Sequence, residues 1–352
     1  MSNATLAWSL AFMISVAMLM LSDFNTITFP NGAVGQKQEN STSVLTNNNN
    51  TTVTKANTTA NNNLINEGIS LLILGKYNEA LNLFDRVLAV EPNNTLALTN
   101  KGSILVYLQK YDEALGLFDK ALSIEPNNTS TLGSKGNVLA SLHKYNEALD
   151  LFDRVLAVDP NDVKTLINKG NVLDTLGKHQ EAISYYDKAL AIEPNDVVAL
   201  QDKGSALDLI ARYNEAIVYY DKALTLDPSN VDILYNKGVA LGKLGDYTQA
   251  IKYYDRALAI EPTYTGALIG KGFALHQLRS NIQAIVYYDK ALVIDPSNVD
   301  TLTNKGAALA ALHKYGEAIK YYDKALAIKP NLQDAINGKR LSIAALNQTQ
   351  IK

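Results

Sequence analysis

The stretch Val197 to Asn230, VVALQDKGSALDLIARYNEAIVYYDKALTLDPSN, decides the fold, because nearly the same 34 letters are written again on either side of it. Pro92, Pro126, Pro160, Pro194, Pro228, Pro262, Pro296 and Pro330 each stand 34 residues apart and mark eight copies. A fixed period of that size is the signature of a stacked array, in which each unit buries its apolar face against its neighbours. Every copy has a glycine in its first half, from Gly68 through Gly204 to Gly306. An alanine follows twelve residues later, from Ala80 through Ala216 to Ala318.

Two amphipathic helices account for these columns. Leu200, Gly204, Leu207 and Ile210 recur at three and four residues and share one helical face. Ala216, Ile217, Tyr220, Ala223, Leu224 and Leu226 form a second stripe, which Asp227-Pro228 ends because the residue before proline is pushed out of the helical region. A break at Ala211-Arg212-Tyr213 separates the two. Glycine inside a helix costs about 1 kcal/mol against alanine, so a glycine in every copy implies a packing reason. With no side chain at Gly204 and only methyls at Ala216 and Ala223, the reading is that the two helix backbones approach closely.

These residues resemble the tetratricopeptide repeat family over about three quarters of the chain. The period, the small-residue columns, the aromatic late in the second helix (Tyr220) and the terminal proline carry the likeness. The resemblance implies an all-α fold, a right-handed superhelical solenoid of antiparallel helix pairs ending in a C-terminal capping helix. Leucine (Leu98, Leu200, Leu302) stands where the family often has tryptophan. Lysine (Lys101, Lys203, Lys305) stands where it often has leucine. Such a lysine is expected to lay its stem on the apolar seam and its ammonium in water. The Asp-Lys/Arg pairs such as Asp221-Lys222 are read as a solvated face. Copies one to three carry Leu-Phe-Asp in the second helix (Leu151-Phe152-Asp153), whereas copies four to eight carry Tyr-Tyr-Asp (Tyr185-Tyr186-Asp187).

The chain divides into residues 1–35, a signal peptide or membrane anchor; 36–60, an Asn/Thr-rich linker expected to be disordered; 61–332, the eight repeats; and 333–352, a capping helix and tail. The apolar run Leu6 to Leu21 is long for a signal core and short for a spanning helix, so both readings stand. Either one predicts an exported chain, extracellular or membrane-anchored. The net charge of −3 argues against a nucleic-acid partner, which would call for a basic stripe. The absence of cysteine removes disulfides, thiolate metal sites and cysteine nucleophiles. Asn-x-Ser/Thr patterns at Asn93, Asn127 and Asn128 fall at repeat turns and are glycosylation acceptors on export into a compartment with the machinery.

No catalytic constellation is present. His143, His179, His276 and His313 fall in different copies at different columns and are expected on the surface. The repeating Lys-Gly lies inside a helix, not at a phosphate-binding turn. No catalytic residue, metal site or cofactor is expected, and the chain reads as a binding protein. In the resembled family the first helices line a concave groove for extended peptides or partner helices. The column that would face it reads Asn66, Asn100, Ser134, Asn168, Asp202, Asn236, Gly270, Asn304. An asparagine amide supplies the donor and acceptor that a peptide unit needs. Asn171, Asp174, Asp208, Tyr235 and Phe273 complete the expected groove, acidic in its middle and apolar beyond, and suited to a basic segment followed by aromatic or aliphatic residues. The carboxylate clamp of some co-chaperones is not expected, because Gly133, Ile167 and Gln201 stand where its first lysine belongs. The partner is a protein or peptide. The alternative is an accessory or spacer subunit of an enzyme or cell-envelope assembly.

Overall fold

The computed structural model describes residues 48–350, so the expected signal or anchor lies outside the described residues. The first helices of the repeats are α1 (Asn48–Ile73), α3 (Thr95–Tyr107), α5 (Thr129–Ser141), α7 (Val163–Thr175), α9 (Val197–Leu209), α11 (Val231–Lys243), α13 (Thr265–Gln277) and α15 (Val299–Ala311). The second helices are α2 (Tyr77–Val90), α4 (Tyr111–Ile124), α6 (Tyr145–Val158), α8 (His179–Ile192), α10 (Tyr213–Leu226), α12 (Tyr247–Ile260), α14 (Asn281–Ile294) and α16 (Tyr315–Ile328). A closing helix, α17 (Gln333–Gln350), follows. Packing divides the chain into two compact units, one ending at Val172 and the other beginning at Leu173, within α7. Among the described residues no strand occurs, and no helix is long and apolar enough to cross a membrane.

The linker expected through residue 60 is helical from Asn48. Asn61 and Ile65 are buried against the first repeat. Once such a turn is fixed, each added residue costs little, so the helix extends N-terminally into a polar sequence.

The starts of most first helices share one chemistry. After the Pro-x pairs, Asn94, Asn128, Asp162, Asp196, Asn230 and Asn298 each accept a hydrogen bond from the backbone N–H three residues on, as an N-cap does. First and second helices are joined through a left-handed residue. Gly75, Gly177 and Gly245 fill that place without strain, whereas Gln109, His143, Ala211, Arg279 and His313 adopt φ near 60° there. The break thus centres on Ala211, and Tyr213 already belongs to α10.

The glycine column has a different cause from the backbone approach expected of it. A Cβ at Gly204 would lie 2.6 Å from Cε1 of Tyr220, and one at Gly102 would lie 2.6 Å from the same atom of Phe118. The glycine is a socket for the ring of the following helix: Phe84, Phe118 and Phe152 in one unit, Tyr220, Tyr254, Tyr288 and Tyr322 in the other. These rings are almost wholly buried, each worth about 1.5–3 kcal/mol. Leu226, expected on the buried stripe, is exposed at the end of its helix.

The lysines do not place their ammonium groups in water. Lys203, Lys237, Lys271 and Lys305 are buried, and each Nζ donates to an aspartate of the preceding repeat (Asp187, Asp221, Asp255, Asp289). Each also donates to the first tyrosine of its own repeat, at 2.6 Å (Tyr219), 2.7 Å (Tyr253), 2.5 Å (Tyr287) and 2.6 Å (Tyr321). Burial alone would lower the Lys203 pKa. The hydrogen bonds to Asp187 and Tyr219 outweigh it and hold the ammonium above its usual value. Where the own repeat has leucine in place of tyrosine, the lysine keeps its aspartate but is less sealed: the side chains of Lys101 and Lys135 are 26% and 23% exposed, against 8% and 6% for Lys203 and Lys237. The Tyr-Tyr and Leu-Phe copies therefore differ in how they seat this charge. Asp221 is exposed, as expected of a solvated face, and is also an inter-repeat partner.

The closing helix keeps half of the pattern. Lys339 pairs with Asp323 at 2.6 Å, continuing the lysine column. Arg340 stands in the register of the socket glycine.

Candidate functional site

Consecutive first helices touch one another, α1 with α3 and α3 with α5 in one unit, and α9 with α11, α11 with α13, α13 with α15 and α15 with α17 in the other. The residues on that shared face carry the expected groove.

In the first unit the asparagine column partly serves the array itself. Asn66 is exposed. Asn100 Nδ2 donates to the carbonyl of Leu96 at 2.8 Å, and Asn168 Nδ2 donates to Asn137 Oδ1 on the neighbouring first helix at 2.9 Å. Asn171 is half-buried. One N–H of each bonded amide is spent, leaving the second N–H and the free lone pairs for a ligand.

In the second unit Asn236 and Asn304 are half-buried on α11 and α15, and the acids gather further along α7 and α9. Asp174 accepts a bond from His179 Nδ1 at 2.7 Å. Burial raises its pKa, and the histidine opposes that rise. Asp202 and Asp208 are half-buried on α9. Asp208 Oδ1 is buried with no hydrogen-bond partner, and its pKa is raised by burial against the weaker pull of Lys243. The three carboxylates share one field. Tyr220, its phenol pushed up mainly by burial, also feels Asp208, Asp202 and Asp174, while Tyr235 and Tyr254 are raised by burial and by Asp208.

An aromatic group borders the acids. Tyr235 packs against Tyr254, with centroids 6.1 Å apart, and against Tyr264 at 5.4 Å. Tyr264 occupies the cap position that is Asn or Asp in the copies before and after it, and it makes no side-chain cap. Its hydroxyl instead donates to Asp232 Oδ1 at 2.7 Å. Phe273 is exposed on α13, edge-on to Tyr247 at 6.3 Å. The fold thus brings Asp202, Asp208 and Tyr235 together in one unit and leaves Asn66, Asn100 and Asn168 to the other.

The expectation of surface histidines holds for His143 and His313. It fails for His179 and for His276, which is half-buried and hydrogen-bonded to Asn281 Oδ1 at 2.6 Å. Both failing residues are at or next to helix ends, where the neighbouring helix supplies a polar partner. Sequence reasoning passed over Tyr254 and Tyr264. The second was visible as the aromatic that breaks the Asn/Asp cap column. Among the described residues no group of His, Cys, Asp and Glu is arranged to hold a metal ion.

The family model for the tetratricopeptide repeat matches residues 163–196, 231–264 and 299–332, each beginning where a first helix begins. The chain is a tetratricopeptide-repeat protein. A related TPR model matches 212–245, and the model of anaphase-promoting complex, cyclosome, subunit 3 matches 73–155. No curated protein matches the sequence. Three solved structures of the same fold are similar to it. A tetratricopeptide repeat protein from Parabacteroides merdae is 17% identical, with a TM-score of 0.55 over 71% of this chain and 99% of that one. PilW, a type IV pilus biogenesis factor, is 23% identical, with a TM-score of 0.56 over 59% and 96%. The APC/C hetero-tetramer Cut9-Hcn1 is 19% identical, with a TM-score of 0.58 over 79% of this chain but 55% of that one. Tetratricopeptide-repeat proteins typically mediate protein–protein interaction.

Proposed function

We propose that the chain is a non-catalytic scaffold that binds an extended peptide or partner protein along the face where consecutive first helices meet. One observation carries this reading. In the second unit, polar and aromatic side chains stand half-buried or exposed on that face, Asp202, Tyr235, Asn236 and Phe273 among them. Photo-crosslinking tests it, with the reactive group placed at position 236 or 273 and, as a control, at the exposed Val218 on α10. Adducts from 236 and 273 with a discrete partner are expected. Equal yield from 218 would sink the groove reading and favour a spacer held from outside.

We further propose that the chain acts outside the cytoplasm, secreted or tethered through Leu6 to Leu21, the uninterrupted apolar run of its N-terminal segment. Removal of residues 1–35 should release it from membranes. Continued membrane fractionation after a high-salt wash would refute the tether.

A further inference from the structure

We propose that the face shared by α9, α11 and α13 anchors a cationic side chain, an arginine or lysine of the bound peptide, in a notch between Gly242 and Gly270. The inference rests on the peptide-binding reading above and names the chemistry of its anchor. Gly242 stands where the flanking copies place Asp208 and His276, and Gly270 where the ladder places Asn236 and Asn304. Two facing side chains are therefore missing from adjacent first helices. At Gly270 the ring of Tyr254 takes up that room, its Cζ 2.7 Å and its hydroxyl 3.0 Å from where a Cβ would lie, so that the hydroxyl borders the open side at Gly242, 3.9 Å from a Cβ there.

Tyr254 is 4% exposed, and its hydroxyl has no hydrogen-bond partner among the described residues. The array does not require that hydroxyl, because Phe84, Phe118 and Phe152 fill the same socket in other repeats. A ligand N–H would give that hydroxyl the partner it lacks.

Charge selects which ligand. Asp208 has an oxygen without a partner, Asp202 lies on the same helix, and the cation acting on Asp208 is Lys243. The ring of Tyr235 adds a face on which a cation is attracted by the quadrupole. A guanidinium offers five donors and an ammonium three, enough to serve carboxylate and phenol together. An acidic or phosphorylated segment would meet like charge. An apolar side chain would leave both polar groups unsatisfied.

Selection of a displayed random nonapeptide library on the full chain tests this, followed by affinity measurement of the recovered peptides. Recovered sequences are expected to be enriched in arginine and lysine, and binding to fall about tenfold or more for Asp208→Asn, the loss of one charged hydrogen bond. Tyr254→Phe, which keeps the ring and removes the hydroxyl, should weaken binding several-fold, with helical melting lowered in neither variant. Recovered peptides without basic enrichment, or unaffected by the two substitutions but blocked by Asn236→Arg, would overturn the cationic anchor and leave the groove standing. Recovery of no peptide would overturn both.

Discussion

Gly204→Ala tests whether the glycine column exists for the ring that follows it. Two opposing effects set the outcome. In a helix interior alanine gains about 1 kcal/mol over glycine. The new methyl, however, would lie 2.6 Å from Cε1, 2.9 Å from Cδ1 and 3.1 Å from Cζ of Tyr220, so ring or helix must move by most of an ångström. Tyr220 is almost fully buried and has little room to yield. Overpacking of this kind costs about 1–3 kcal/mol, so the net is a loss of about 0–2 kcal/mol. Gly133→Ala is the matched control, because a Cβ there meets nothing within 4 Å, and it should stabilise by about 1 kcal/mol. Gly204→Ala made in a Tyr220→Leu background should behave like the control. Urea unfolding followed by helical circular dichroism measures all four, compared as midpoints because repeat arrays depart from two-state behaviour. A midpoint raised by Gly204→Ala as much as by Gly133→Ala would refute the socket.

Leu117→Tyr should give Lys101 the hydroxyl partner that Lys203 has in Tyr219 and stabilise the first unit by about 0.5–1.5 kcal/mol; an unchanged melting temperature would show that the hydroxyl does not seat the lysine. Ala211→Gly relieves a left-handed alanine at φ 60° and should gain about 0.5–1 kcal/mol after glycine's extra chain entropy; a loss would mean the turn is not strained. Asp208→Asn should raise stability at pH 7. Burial raises the carboxyl pKa in the fold, so the charged form is disfavoured there and the group stabilises only when protonated. The advantage of Asn should shrink as pH falls through the raised folded value toward the unfolded one near 3.9. A variant less stable than the parent at pH 7 would reverse the sign.

The array was legible because its signals are local and periodic. The proline stop, the apolar stripes and the glycine column each sit within one helix, and eight copies remove chance. What escaped lies between helices. The ring that needs Gly204 and the aspartate that holds Lys203 are each sixteen residues away, across a turn that helical spacing does not describe. Asp221 and Lys222 are exposed, as a solvated face requires, but the bond from Lys237 to Asp221 across the repeat boundary was not visible from that face. The acids of the groove face were placed from the repeat register alone. Their shared field was not, since it depends on how deeply Asp174 and Asp208 are buried.

Tyr264→Asn separates fold from function at a cap that the array gives up. The backbone at Tyr264, φ −65° and ψ 97°, matches that of Asn298, φ −65° and ψ 104°, so an asparagine there can bond the N–H of Ala267 without rearrangement. That cap should gain about 1 kcal/mol. The substitution loses the bond to Asp232, about 0.5–1.5 kcal/mol, and the ring pair with Tyr235, of similar size. The balance is a loss of about 0–2 kcal/mol in thermal unfolding, while Tyr235 loses the ring that holds it over Gly266. Peptide affinity should therefore drop well beyond what the small change in folding explains. A variant that melts far lower yet binds normally would make Tyr264 a structural residue, and the border of the notch would have to be redrawn without it.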